Sequence, residues 1–478
     1  MFLINWGRFL GRLDPLYYSG YIAGFIDKLN FDKSKLHSVL IYAKNGFAAG
    51  KDSQSSDASN SYLQIRPTNI DADGILKFDK NVYVDNPINA DVLCMGEVLF
   101  NNTNSQELVG KTGLFDLEGN FCCSNHITRL MPNQNVSPNY LKEILNFYFR
   151  NNIFYSLCTN WNNQSGVNYT VLKDLLIPVP TMEVQHQIVD IMDTAHDEKR
   201  EKEQKAKGLL DSINGYLLDE LGIVLSPAEE NTLENRMFFT NSSVVMGGRL
   251  DPRSYTTKYQ KIFGAIEGST FDKKSLRAII SYDISGNWGL DETEVGDDLL
   301  TCLTIRATEF DNKFNLNLEN NRVKYRNYKP QVYEKIAISS NEILVEKSGG
   351  SDNQPVGRVA FIEKNMVESN NLAYSNFIHK IIIDENLAHP RYVFEYLRLM
   401  HNIKITEVMQ TQTNGIRNLI MQEYFSQAII LPNKSTQERI ADEASRKRAS
   451  AKSLEDDANI VIQRAKEKVE KILLSGSL

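Results

Sequence analysis

The chain repeats itself once, and any fold proposed for it must contain two similar bodies. Gly11-Arg12-Leu13-Asp14-Pro15 returns as Gly248-Arg249-Leu250-Asp251-Pro252, at an offset of 237 in a chain of 478 residues. Phe31-Asp32-Lys33 with Leu36 returns as Phe271-Asp272-Lys273 with Leu276, at 240. That offset also pairs Tyr42 with Tyr282, Gly46 with Gly286, and Leu63, Ile65, Arg66 and Thr68 with Leu303, Ile305, Arg306 and Thr308. Ser124-Asn125 matches Ser375-Asn376 at 251. Pro138 and Tyr140 match Pro390 and Tyr392 at 252, as Pro180, Gln185 and Ile188 match Pro432, Gln437 and Ile440. The offset rises in steps and never falls, as loop insertions in the second copy would make it and chance matches would not.

Within each copy, short apolar runs such as Ser38–Tyr42, Val98–Phe100, Ile343–Val345 and Val359–Ile362 alternate with Gly, Asn and Asp clusters, a pattern of strands and turns. A helical period follows each matched proline, at Tyr140–Phe149 and Tyr392–Leu399. After Pro180 and Pro432 the grain changes. Val184, Ile188, Ile191 and Ala195, then Ala206, Leu209, Ile213, Leu217 and Leu221 recur at helical spacing, and Leu454, Ala458, Val461, Ala465, Val469 and Ile472 do the same. These seams predict two long amphipathic helices that pair as an antiparallel coiled coil. The expected fold is α+β: two similar α/β globules, each followed by a long helix. The expected division is a globule over 1–180, a helix and linker over 181–235, a second globule over 236–432 and a C-terminal helix over 433–478.

A net charge of −7 argues at first against a nucleic-acid partner, but the acidity is local. Residues 181–235 hold 5 basic and 13 acidic side chains, whereas 1–180 hold 15 and 16, and 236–432 hold 23 of each. The globules are near neutral, and a basic face on either is compatible with that balance. No apolar run approaches the roughly 18 residues of a membrane span, and Arg8 and Arg12 interrupt the N-terminal apolar stretch before a signal core forms. Five cysteines (Cys94, Cys122, Cys123, Cys158, Cys302) without metal spacing point to reduced, mostly buried thiols and a cytoplasmic setting.

Catalytic signatures are incomplete. Gly110-Lys111-Thr112 looks like the end of a phosphate loop, but Ser105 stands where that motif needs glycine, and the second copy reads Gly357-Arg358-Val359. Asp14-Pro15-Leu16-Tyr17 lacks the second proline of an adenine-methyltransferase motif, and no glycine-rich cofactor loop follows a strand nearby. The seven histidines form no metal-spaced pair on one helix face. Glu342, Glu346 and Lys347 would suit a nuclease, yet the first copy has no matching set, and a polar strand end is the simpler reading.

The arrangement resembles the specificity subunit of type I restriction-modification systems along essentially the whole chain. The resemblance is carried by Arg-Leu-Asp-Pro with Tyr17-Tyr18 and Tyr255, by the Ile-Arg-x-Thr strand ends at Arg66 and Arg306, and by Phe100–Ser105 running into Leu108–Lys111. It is clearest at the exits, Leu176-Ile177-Pro178-Val179-Pro180 with Gln185 and Ile188, and Ile430-Leu431-Pro432 with Gln437-Glu438-Arg439-Ile440. The second exit departs in reading Asn433-Lys434-Ser435 where the first reads Thr181-Met182-Glu183. The resemblance implies that each globule is a target-recognition domain reading half of a split DNA site. It implies that the helices dock two methyltransferase subunits, and that translocase-nuclease subunits join for restriction. S-adenosylmethionine, and ATP with magnesium, would belong to those partners and none to this chain. The chain itself would be non-catalytic.

Loops rich in Asn, Gln, Ser, Lys and Arg supply base and phosphate contacts. The candidates are Lys44, Asn45, Lys51, Asn101, Asn102, Asn104, Lys111, Asn163 and Gln164 in the first copy. In the second they are Asn287, Lys347, Ser348, Asn353, Gln354, Arg358, Asn414 and Arg417. Arg66 and Arg306 stand at one place in both copies, which suits a shared scaffold or phosphate role, since base readers should differ between domains that read different sequences. The competing readings are a duplicated interaction protein, which would show no salt-dependent DNA affinity, and a self-contained methyltransferase or nuclease, which would turn over alone.

If the paired helices set the gap between half-sites, four residues added near Ala206 lengthen one helix by roughly 6 Å. With DNA rising about 3.4 Å per base pair, the gap widens by at most about two base pairs and the half-site sequences stay as they are. Methylome sequencing of the variant reads this directly. An unchanged gap in a fully active variant would show that the helices do not set the spacing.

Overall fold

The computed structural model describes residues 21–55, 57, 59–85, 92–161, 164–227, 232–240, 251–294, 296, 298–311, 313–320, 322–351, 354–369, 371–413 and 415–476. The first Arg-Leu-Asp-Pro run with Tyr17-Tyr18, residues Gly248–Leu250 of the second, and Asn163, Asn353 and Asn414 lie outside them. The chain divides into two compact units, one of residues 1–203 and 455–478, the other of residues 204–454.

In the first unit β1 (Leu40–Asn45), β2 (Glu97–Asn101), β3 (Thr112–Phe115) and β4 (Ile127–Pro132) form an antiparallel sheet in the order β1-β4-β2-β3. Alternation along β2 explains its central place. Val98 and Phe100 face one apolar cluster, with Leu130 and the helix α1 (Pro138–Arg150), while Leu99 faces another with Ile65, Ile70 and Phe115. Each such side chain removed from water contributes about 1.5–3 kcal/mol. Helix α1 begins at Ser137, whose hydroxyl accepts from the Tyr140 N–H, with Pro138 in the first turn. A smaller sheet pairs Leu63–Ile65 in parallel with Phe121–Cys123, so the adjacent cysteines are strand residues in the interior.

The second unit repeats this plan. Strands β5 (Ile280–Ser285), β6 (Ile343–Glu346), β7 (Val359–Phe361) and β8 (Ile378–Ile383) take the order β5-β8-β6-β7, all antiparallel. Ile343 and Val345 face the cluster holding helix α3 (Pro390–Asn402), and Leu344 faces the other. Leu303–Ile305 pairs in parallel with Leu372–Tyr374, as in the first unit. Both sheets carry a buried cross-strand ion pair at one place. Arg129 on β4 grips Glu97 on β2 at 2.8 Å, and Lys380 on β8 meets Glu342 at 3.2 Å.

The two long helices are α2 (Met182–Glu220) and α4 (Lys434–Ser475), and each unit takes part of both. In the first unit Ile188, Met192 and Ala195 of α2 share a core with Ile462, Ala465, Val469 and Ile472 of α4 and with α1. In the second, Ile213, Leu217 and Leu221 pack with Ile440, Ala441 and Ala444. There Arg439 bonds Glu220 at 2.7 Å and Lys447 bonds Ser212 at 2.9 Å, so numbers rise along one helix as they fall along the other. The pairing is antiparallel. The sequence division at 180 and 432 follows the change of period, whereas the compact units include helix segments because the apolar seams merge with the globular cores.

A buried glutamine roots each helix. Gln185 Oε1 accepts from the Ser137 N–H at 2.9 Å, and its Nε2 donates to the carbonyls of Asn135 and Pro180 at 2.9 and 3.0 Å. Gln437 accepts from the His389 N–H at 2.9 Å and donates to the Pro432 carbonyl at 2.8 Å. Tyr140 and Tyr392 donate their hydroxyls to the carbonyls of Pro178 and Ile430 in the strands that lead into these helices. Replacing Gln185 with alanine leaves the half-buried Ser137 N–H and the carbonyls of Asn135 and buried Pro180 without this partner, and should cost about 2–3 kcal/mol. The Lys35–Asp174 pair lies in solvent, is screened by it, and should matter far less. Urea midpoints of Gln185→Ala and Lys35→Ala give that order; equal shifts would contradict the clamp.

Candidate nucleic-acid interface

The strand Tyr62–Ile65 ends at Arg66, which opens a short 3-10 turn, Pro67–Asn69. The Arg66 N–H bonds the Asn69 side chain at 2.9 Å, and its guanidinium leans on Gln64 Oε1 at 3.0 Å. Arg66 and Lys80 thereby border a cleft of about 500 Å³. Thr103, Asn104 and Ser105, just past β2, line it too, along with His126 and Gln164. No carboxylate is among its described lining residues. Two cations, several amides and hydroxyls and one imidazole form a surface suited to phosphate oxygens and base edges. Gln164 stands in the strand Gln164–Gly166, which pairs with Thr103–Asn104 and fixes the two amides on one small sheet.

The other first-copy candidates scatter. Lys44 is exposed on β1, its ammonium 5.2 Å from the Tyr42 ring, and Lys51 is exposed in the turn Lys51–Ser53. Asn45 is exposed at the end of β1 and accepts from the Thr128 hydroxyl at 2.7 Å. Asn102 is buried, donating to that hydroxyl at 2.9 Å and to the Asn125 carbonyl at 3.2 Å. Asn101 is fully buried and donates to the Leu108 carbonyl at 3.0 Å. Lys111 is interior as well, giving its protons to the carbonyls of Pro67 and Ile70, and burial pushes its ammonium pKa down. Gly110, before it, has φ +98°, and a Cβ there would lie 2.3 Å from the Phe154 ring. This segment is packed into the scaffold rather than shaped around a phosphate.

The second copy shows the same positions with other side chains. Arg306 reaches Glu309 at 2.7 Å and the Arg322 carbonyl, and Asn287 is exposed with its Oδ1 accepting from the Gly289 N–H at 2.8 Å. Arg358 does what Lys111 does, donating to the carbonyls of Ala307 and Phe310 at 2.9 and 2.7 Å, and also pairs with buried Glu346 at 2.8 Å. Ser348 is buried against Asn418 Oδ1 at 2.7 Å, Gln354 is half-buried in a bridge with Ser351, and Arg417 is buried in the strand Ile416–Leu419. Glu342 and Glu346 are thus committed to Lys380 and Arg358, not gathered around an open site.

Lys347 donates to the Ser285 hydroxyl at 3.0 Å, and burial lowers its pKa. Ser285 Oγ also lies 3.0 Å from His379 Nδ1, whose Nε2 is 2.9 Å from Asp283. The contacts imitate a nucleophile relay, but the first unit holds Asn45, Thr128 and Asn102 at the matching places, bonded to one another with no nucleophile–base pair. Both networks are polar struts beneath the strand ends. Lys80, Ser105 and His126 line the cleft without being among the candidates read from the sequence. The signal for His126 was present: it directly follows the matched Ser124-Asn125, where Phe377 follows Ser375-Asn376.

Residues 31–208 match the family model described as Type I restriction modification DNA specificity domain. A Methanocaldococcus jannaschii protein described as the type I restriction enzyme MjaX specificity subunit is 31% identical over 169 residues, 34% of this chain and 39% of that protein. The match therefore spans about two fifths of that relative's length. A chain from a solved structure concerning complex assembly and conformational transition of the type I R-M system aligns over 94% of this chain and 99% of its own, with a TM-score of 0.51. At 13% identity that likeness is one of fold. Residues 31–208 are thus similar to a type I restriction-modification DNA specificity domain, and over the rest of the chain the likeness is one of fold.

Proposed function

We propose that the chain is the non-catalytic, DNA-reading subunit of a cytoplasmic type I restriction-modification complex, each unit reading one half of a bipartite site. The observation that carries this reading is the cleft lined by Arg66 and Lys80 together with amides, hydroxyls and His126, with no carboxylate among its described lining residues, within the segment that matches a DNA specificity domain. Arg66 and Lys80 anchor phosphates; Asn104, Gln164 and His126 face base edges. The interior residues Asn101, Asn102, Lys111, Ser348 and Arg358 hold the loops and read nothing themselves. Methyl transfer, with S-adenosylmethionine, is assigned to two modification subunits, and ATP- and magnesium-dependent translocation to restriction subunits.

For the modification subunits the first unit offers a groove of about 780 Å³ along its paired helix segments. Glu183, Asp190 and Glu198 of α2 line it with Arg464 and Lys468 of α4, around apolar Ile191 and Val461. A mixed-charge rim over an apolar floor is the make-up of a protein interface.

Incubated with S-adenosylmethionine and DNA, the pure chain should leave adenines unmodified, and two equivalents of modification subunit should switch methylation on. Reproducible methylation by the chain alone would end the reading. In the assembled complex, Arg66→Ala and Lys80→Ala should weaken binding to all DNA sequences alike and each lower the salt slope by about one. Fluorescence anisotropy across a salt series measures both, and an unchanged slope would remove these residues from the phosphate contacts.

A further inference from the structure

We propose that residues 126 and 377 are the equivalent specificity-determining positions of the two units: His126 hydrogen-bonds a base edge in one half-site, and Phe377 lies against a thymine methyl in the other. The proposal rests on the DNA-reading role above.

The turns that carry these residues are built by the same backbone bonds. The Ser124 N–H donates to the Ile65 carbonyl and the Ser375 N–H to the Ile305 carbonyl, both at 2.9 Å. The Ile127 N–H returns to the Ser124 carbonyl and the Ile378 N–H to the Ser375 carbonyl, again at 2.9 Å. The carbonyl of residue 126 accepts from the Asn102 N–H at 3.0 Å, and that of residue 377 from the Lys347 N–H at 2.8 Å. The main chain is therefore fixed at both places by groups that do not involve the side chain. Imidazole and phenyl can be exchanged there without disturbing the scaffold.

In the first unit this position borders the cleft that also holds Arg66, Asn104 and Gln164. In the second the residue is phenylalanine and 41% exposed. Scattered exposed apolar residues are ordinary, but this one stands where the sister unit presents a polar, cleft-lining side chain, between exposed Asn376 and the turn back into β8. The two side chains meet different features of the major groove. Imidazole can donate to or accept from a base edge. Phenyl can do neither, and thymine is the base that offers an apolar group there, its C5 methyl.

The test uses the full chain with its modification subunits in cells, read by methylome sequencing. The parent motif is established first; if the parent chain yields no bipartite motif, the DNA-reading role fails and this assignment with it. Given a motif, Phe377→His should weaken the preference for one T·A pair roughly tenfold or more in a single half-site. Phe377→Leu, still apolar, should keep that preference. His126→Phe should change one base pair in the other half-site, and His126→Gln, still a hydrogen-bonding group, should change it least. The gap and the untouched half-site stay constant throughout. Unchanged motifs in Phe377→His and His126→Phe complexes that methylate at parental levels would overturn the proposal, as would changes in both halves from one substitution. Thermal melts of the purified variants separate an altered motif from a lost fold, since the Leu and Gln variants keep the shape of the site.

Discussion

The glutamine at the root of each long helix is the constraint on which the rest depends. Gln185 and Gln437 each bond the first N–H of the globule's own helix cap and a carbonyl at the start of the long helix. A buried amide that both donates and accepts fixes direction as well as distance, and removing either side leaves buried polar groups short of a partner. Each globule is thereby tied to its helix as one body. The apolar seams of α2 and α4 then continue the globular cores instead of forming a separate stalk.

Inside the globules the two copies keep positions and change chemistry. Glu97–Arg129 becomes Glu342–Lys380, and Lys111 above neutral Asn101 becomes Arg358 paired with Glu346. The Asn45–Thr128–Asn102 network becomes Ser285–His379–Lys347. Breaking one partner of such a buried pair is costly, whereas replacing both can be nearly neutral. That asymmetry accounts for the joint changes at Asn101 and Lys111 and in the Asn45–Thr128–Asn102 network, whereas the first pair keeps its glutamate and exchanges one cation for another. It leaves the strand order and the turns at Arg66 and Arg306 the same while side chains at matching positions differ.

Much of this was legible in the sequence. Stepwise offsets gave two similar bodies, Pro138 and Pro390 marked helix starts, and the seams through Ile188 and through Val469 gave the antiparallel helices. The site was legible only in part. Arg66, Asn104 and Gln164 line the cleft, but Asn101, Asn102, Lys111, Ser348 and Arg358 carry the same residue types and point inward. Composition cannot separate a loop amide that faces solvent from one that bonds a carbonyl behind it. Lys80 and His126 were missed because neither stands in an Asn- or Gln-rich run, and the cleft forms only when segments distant in sequence fold together.

The central claim is that the two copies read DNA separately, and exchanging one copy tests it most directly. Residues 1–180 would be replaced by the matching segment of a relative with a different methylated motif, leaving Gln185 and both long helices in place. Methylome sequencing should then show one half of the bipartite motif replaced, with the other half intact. Simultaneous change in both halves would contradict the account, because it would mean that the copies read the site jointly.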